Sequence, residues 1–206
     1  MAKLLLATHN QGKVREFREL LADNVPSLDV EKDVISAADL DVQEPVEDGL
    51  SFEENALIKA RAIAAETSLP VIADDSGLEV DVLNGMPGIF SARWAGEHGG
   101  DHVSLLLGQI ADVKPEHRGG RFHCCAVLVT PAGDETVVHG TMEGTLTTEP
   151  RGNNGFGYDP IMVPAGYSKT CAELTADEKN AISHRGNAMK QLLPYIRAIF
   201  PQKKNL

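Results

Sequence analysis

Asp74 and Asp75 stand side by side directly after the apolar run 69–73, and Ser76-Gly77 follows them. Carboxylates at the end of a buried strand lie where open α/β sheets place their ligands. Successive strand residues point to opposite faces, so one of the pair can enter a site while the other does not. A carboxylate so placed can hold a divalent cation, orient a water, or take its proton. The same four residues also read as an Asx-type turn. Glu47, Asp48, Glu53 and Glu54 form a second acidic group. Any of them can complete a metal site, although helix capping alone accounts for Glu54.

Cationic residues fall into three sets. Thr8-His9-Asn10-Gln11-Gly12-Lys13 leads from an apolar strand through a turn into a helix. Such a junction offers backbone N–H groups and a helix dipole to an anion. It lacks the GxxxxGK[ST] pattern of a Walker A loop. Lys13 in a first helical turn opposes the dipole, which points to a ligand; the plainer reading is a solvated surface lysine. Lys59 lies in Ala56-Leu57-Ile58-Lys59-Ala60 and reads as a lysine that snorkels to water. Lys179 precedes Ser183-His184-Arg185, where Ser183 reads as a helix N-cap. Their donors suit a base carbonyl or a phosphate; a solvated basic face is the alternative.

Residues 152–160 read Gly-Asn-Asn-Gly-Phe-Gly-Tyr-Asp-Pro. Glycine and asparagine adopt positive φ readily and expose backbone N–H groups. Phe156 offers a face for stacking, Asp159 an acceptor, and Pro160 a stiff exit. The loop suits a planar polar ligand such as a nucleobase; a glycine-rich surface turn is the competing reading.

The elements that must position these groups alternate in type. Residues 3–8 read as a buried strand, and Val14, Phe17, Leu20 and Leu21 give a helix over 13–22. A strand is expected near 28–30. Ser51 with Glu54 forms a capping-box pattern that opens a helix to about residue 66. Strands follow at 69–73 and 78–82, with turns at Asn84-Gly85 and Pro87-Gly88. Val103, Leu106, Leu107 and Ile110 mark a helix, and 121–130 with 135–141 a hairpin about Pro131-Ala132-Gly133-Asp134. Thr175 and Glu178 carry capping-box spacing, and a last helix spans about 183–193, with Pro194 set to bend or interrupt it. The interleaving indicates a mixed α/β or α+β fold.

Composition bounds the function. The chain has 206 residues, a net charge of −11 and a pI near 5.0. That balance argues against a duplex nucleic-acid binder, which needs a basic stripe. Cys124, Cys125 and Cys171 are odd in number and form no CxxC pair, so reduced thiols and a cytoplasmic location are expected. No apolar run approaches the roughly 20 residues that span a bilayer, and no basic n-region precedes the first apolar run.

Taken together, the chain resembles the inosine triphosphate pyrophosphatase family. The resemblance rests on Leu6-Ala7-Thr8-His9-Asn10 with Lys13, Ser51-Phe52-Glu53-Glu54-Asn55-Ala56 with Lys59, and Ala73-Asp74-Asp75-Ser76-Gly77. It continues through Pro87-Gly88-Ile89-Phe90-Ser91-Ala92-Arg93, Gly155-Phe156-Gly157-Tyr158-Asp159-Pro160, Ala172-Glu173-Leu174 and Ile182-Ser183-His184-Arg185-Gly186. These recur in order from residue 3 to residue 193.

The resemblance implies a single domain over 1–206, with two lobes around a long mixed sheet, flanking helices and a substrate cleft between the lobes. It implies a homodimer that hydrolyses inosine, deoxyinosine and xanthosine triphosphates to monophosphate and pyrophosphate. Thr8, His9, Asn10, Gln11, Gly12 and Lys13 would hold phosphate, with Lys59 near the triphosphate. Asp75 would be the general base and a Mg2+ ligand, with Glu47 a second ligand. Ser76 would touch substrate. Phe156, Gly157, Tyr158 and Asp159 would hold the base, and Lys179, His184 and Arg185 its six-position oxygen. His9 departs from the glycine or asparagine of many members. A non-catalytic nucleotide-binding module and a septum-inhibitor-like pyrophosphatase of different base preference are the rival readings.

Overall fold

The computed structural model describes residues 3–40, 42–96 and 100–202. Six strands form one mixed sheet in the order β2-β1-β3-β4-β5-β6. They are β1 (Leu4–Leu6), β2 (Val34–Ser36), β3 (Val71–Val80), β4 (Gly119–Val129), β5 (Glu135–Leu146) and β6 (Met162–Pro164). The helices are α1 (Gln11–Asn24), α2 (Val30–Asp33), α3 (Phe52–Thr67), α4 (His102–Gln109), α5 (Ala176–Ile182) and α6 (His184–Ile199). Among the described residues no helix is long and apolar enough to cross a membrane.

The described residues divide into two compact units. The first holds the chain up to Asp75, then Cys125–His139, then the segment from Gly186; the second holds Ser76–Cys124 and Gly140–Arg185. β3, β4 and β5 each contribute residues to both.

In the first unit, β1 runs parallel to β2 and to β3, with Leu4 opposite Val34 and Leu6 opposite Ile72. Parallel neighbours require crossovers, and helices supply them. Leu4, Leu5 and Val71 are fully buried, as a strand covered on both faces requires. α1 buries Val14, Phe17, Leu20 and Leu21 at helical spacing. The strand expected near 28–30 is instead the short helix α2, and the strand begins at Val34. α6 runs through Pro194 without interruption. The N–H that proline lacks is offset by burial of Leu192, Leu193 and Ile196 on its inner face.

In the second unit, Leu78, Val80, Leu106, Ile110, Phe122, Met142, Leu146 and Tyr158 belong to one apolar cluster. Trp94 packs against that cluster and donates its indole N–H to Gln109 Oε1 at 2.8 Å. Arg118 is 2% exposed and donates to the carbonyls of Ile110, Leu146 and Thr147 at 2.7, 3.1 and 2.7 Å. β4 and β5 form the expected hairpin, closed by Thr130 N–H to Asp134 O at 2.9 Å. Both strands run longer than expected, and β6, antiparallel to β5, had no clear sequence signal.

The main correction concerns residues 69–82. They do not form two strands with a turn at Asp74-Asp75-Ser76-Gly77; β3 is continuous from Val71 to Val80. The carboxylates therefore sit within a strand. They still lie past the end of β1, whose last paired residue, Leu6, faces Ile72. The expectation that their own strand ends at Asp74 fails.

Candidate active site

The phosphate-type loop is built by the exit of β1. Ala7 N–H bonds Ile72 O at 2.8 Å, which holds the loop beside β3. The helix begins at Gln11, two residues earlier than the apolar spacing indicates, because Asn10 caps it. Asn10 Oδ1 accepts from the N–H groups of Gly12 and Lys13 at 2.9 and 3.2 Å. Within the loop, two of the expected amide donors are thus capped by the chain itself. His9 is exposed, and Glu44 Oε1 accepts from its backbone N–H at 2.8 Å and lies 3.0 Å from its Nδ1. Thr8 is buried, and its Oγ1 accepts from Asn10 N–H at 3.1 Å.

Lys13 occupies the third helical position and pairs with buried Asp74 at 3.0 Å, so it is not a solvated lysine. Lys59 does not snorkel either. It is 4% exposed and its Nζ lies 2.7 Å from Glu47 Oε1. Burial opposes its charge, but Asp74, Glu47 and Asp75 together outweigh burial and hold its pKa above the ordinary lysine value. Lys59 is therefore a fixed cation at neutral pH and no proton acceptor.

Asp75 is 7% exposed. Burial pushes its pKa above the ordinary carboxylate value, and the negative charge of Glu47 adds to the rise. Lys59, the Asn55 amide and Lys13 oppose the shift without cancelling it. Asn55 Nδ2 donates to Asp75 Oδ2 at 3.0 Å. A raised carboxylate beside the fixed Lys59 cation suits general-base work, which is most effective when the pKa approaches the working pH. Among the described residues no group of three or more His, Cys, Asp or Glu side chains is arranged to hold a metal. Asp75 and Glu47 still form a suitable donor set for Mg2+, which uses one or two carboxylates and fills its other positions with waters and phosphate oxygens.

The second unit assembles the remaining candidates. Asp159 is 2% exposed, and its Oδ2 accepts from Phe156 N–H at 2.8 Å and from Lys179 Nζ at 2.6 Å. Its carboxylate thus fixes the loop and one cation, an internal duty beside the ligand contact expected from the sequence. Gly155 has φ +72°, and a side chain there would run into the Asp159 carboxylate. Lys179 Nζ and Arg185 Cζ lie 5.1 and 5.9 Å from the Phe156 ring centroid, within cation–π reach. Arg185 donates to Ser76 Oγ at 2.9 Å, and His184 stacks on Phe122 at 5.0 Å and 23°. Lys179, His184 and Arg185 are all buried, not a solvated basic face. Gly157 is exposed. Tyr158 is buried, with its hydroxyl donating to Ser91 O at 2.9 Å, and burial raises its pKa so that it stays neutral.

Three participants escaped the sequence reading of the site. Asn55 and Glu44 touch Asp75 and His9 across 20 and 35 residues of chain, and Phe122 supports His184 across the unit's apolar cluster. Glu44 and Phe122 have no local signal; Asn55 has one, a buried amide inside an alanine-rich helix.

The chain matches the model of the Ham1 family over residues 4–195. It is 54% identical to the dITP/XTP pyrophosphatase of Streptomyces coelicolor, across 97% of this chain and 99% of that one. It is 51% identical to the Corynebacterium efficiens protein of the same name, across 97% and 100%. Among solved structures, it is similar to a HAM1 protein from Coxiella burnetii (40% identity, TM-score 0.83, 96% and 100% covered). It is also similar to the Mycobacterium abscessus nucleoside-triphosphatase / dITP/XTP pyrophosphatase (49% identity, TM-score 0.72, 93% and 99% covered). A motif series that runs nearly end to end, a mixed six-stranded sheet and these relatives agree: the chain belongs to the Ham1 family.

Proposed function

We propose that this protein hydrolyses non-standard purine nucleoside triphosphates (ITP, dITP and XTP) to the monophosphate and pyrophosphate, clearing them from the nucleotide pool. The relatives named dITP/XTP pyrophosphatase support the substrate class. The observation that carries the chemistry is buried Asp75, its acidity weakened, in a cluster with Lys59 and Lys13 at the end of β1.

Asp75 orients the attacking water and takes its proton, and the bond between the α and β phosphates breaks. Lys13 and Lys59 stabilise charge on the leaving pyrophosphate, and Lys59 keeps its proton throughout. Asp75 and Glu47 would hold Mg2+. Bound there, Mg2+ would offset repulsion between carboxylates and phosphates.

The base is the task of the second unit. Phe156 stacks on it, and donors on Lys179, His184 and Arg185 serve the six-position oxygen. Adenine presents an amino group at that position and would leave buried donors unpaired, which discriminates strongly. Asp159 contributes by fixing Lys179 and the Phe156 amide. The whole chain acts as one catalytic domain and, as in the family reading, as a cytoplasmic homodimer.

The test is a panel of ITP, dITP and XTP against ATP, GTP, CTP and UTP, with phosphate and pyrophosphate assayed separately. Strong preference for the first three with release of pyrophosphate is expected. Binding without turnover would leave a regulatory module, and a different base preference would favour another pyrophosphatase.

A further inference from the structure

Asn55 is fully buried on α3, one turn after the Ser51 cap. Asparagine is a poor helix former, and burying an amide costs free energy unless its bonds are made. Here both ends are used. Oδ1 accepts from Gly49 N–H at 2.9 Å, and Nδ2 donates to Asp75 Oδ2 at 3.0 Å. Gly49 N–H can only donate, so its partner must be the amide oxygen, and the nitrogen must face Asp75. The orientation of the side chain is therefore set by the chain and not by choice of flip.

Gly49 is part of the same device. A Cβ there would stand 2.7 Å from Asn55 Oδ1 and 2.7 Å from Glu54 Cβ, so only glycine lets the backbone approach the amide. Two residues earlier the same segment presents Glu47, which pairs with Lys59 at 2.7 Å. One amide thus ties the strand that carries Asp75 to the loop that carries Glu47.

We propose that Asn55 is a positioning residue that sets the Asp75 carboxylate through one oxygen and, through Gly49, the loop bearing Glu47. The inference rests on the pyrophosphohydrolase reading above and deepens it. It predicts that the two bonds of the amide serve different ends: the Gly49 bond shapes the loop, and the Asp75 bond aims the base.

The experiment compares Asn55→Asp, Asn55→Leu and Gly49→Ala with Asp75→Asn and the unaltered protein. Each is assayed for kcat and KM on XTP, for binding of a non-hydrolysable α,β-methylene analogue by calorimetry, and for thermal midpoint. Asn55→Asp keeps an acceptor for Gly49 N–H and loses the donor to Asp75. It is expected to lower kcat about 10- to 100-fold with KM and analogue affinity nearly unchanged, the signature of a lost transition-state interaction. Asn55→Leu loses both bonds and is expected to lower kcat further and to lower the thermal midpoint. Gly49→Ala leaves the Asp75 bond partner in place and is expected to lower kcat several-fold by shifting the amide. Should Asn55→Asp not fold, Gly49→Ala with the same split decides. The proposal is overturned if folded Asn55→Asp, or Gly49→Ala in its stead, keeps kcat within twofold, even where the thermal midpoint falls. Inactive Asp75→Asn beside a fully active Asn55→Asp sinks this inference alone, whereas an active Asp75→Asn sinks the base assignment itself.

Discussion

Asp75 is buried among charges that do not balance it, and its pKa shift is a statement about stability as well as catalysis. Its folded-state pKa lies above the unfolded value of about 3.9. The proton is therefore held more tightly in the folded state. The associated stability is fully present below the unfolded value and is lost as pH rises through the folded one. At neutral pH the ionised carboxylate opposes folding. Asp75→Asn is expected to raise the thermal midpoint at pH 7 to 8, with the gain vanishing below about pH 4, while turnover falls at least about 1,000-fold; scanning calorimetry and a pyrophosphate assay check both. The same shift places the acid limb of kcat/KM above the ordinary carboxylate range in a pH–rate profile. Phe156→Ala is expected to raise KM for XTP with little loss of kcat, since stacking contributes about 1–3 kcal/mol per base. An unchanged KM would leave the ring a support for Lys179 and Arg185 alone. Glu44→Gln removes a carboxylate bonded to the His9 amide and is expected to lower KM about two- to fivefold in steady-state kinetics.

Among the elements, β3 is the one that carries Asp74 and Asp75. Its first half is buried on both faces and reads as an apolar run, yet it continues through two aspartates, a serine and a glycine. Polar residues of this kind normally end a strand. Sheet pairing overrides that preference, with Lys13 paired to Asp74 Oδ2 and the Asn55 amide donating to Asp75 Oδ2. Arg118 acts on elements in a different way. Its guanidinium ties the end of α4 to the end of β5 through three carbonyls, and burial lowers its pKa. Arg118→Met leaves those carbonyls without the donor. Hydrogen bonds to charged groups contribute about 1.5–3 kcal/mol each, so a loss of at least about 3 kcal/mol is expected in denaturant unfolding. Lysine cannot reproduce the fork, and Arg118→Lys is expected to recover only part.

At the scale of the whole molecule, charge sets a condition on activity. The protein carries −11, and the cluster about Lys59 holds Glu47, Asp74 and Asp75 against Lys13 and Lys59. A cluster with this balance opposes a polyphosphate, which is the ground for the Mg2+ proposed above. Dialysis against a chelator is expected to abolish turnover and weaken binding of the methylene analogue, with Mg2+ restoring both; full activity in the chelator would remove the cation from the reading. The amino-acid sequence by itself determined the family, the helix caps at Ser51 and Thr175, and the β4–β5 hairpin, because capping, turns and motif order are local in the chain. It misread the strand break at Asp74-Asp75-Ser76-Gly77 and the snorkelling of Lys59, and it could not foresee that Asp159 pairs with Lys179 or that Asn55 bonds Asp75. Those outcomes were decided by tertiary structure alone. Burial and partners across 12 to 35 residues of chain fix which polar group is buried and what it pairs with, and neither quantity is written in residue type or spacing.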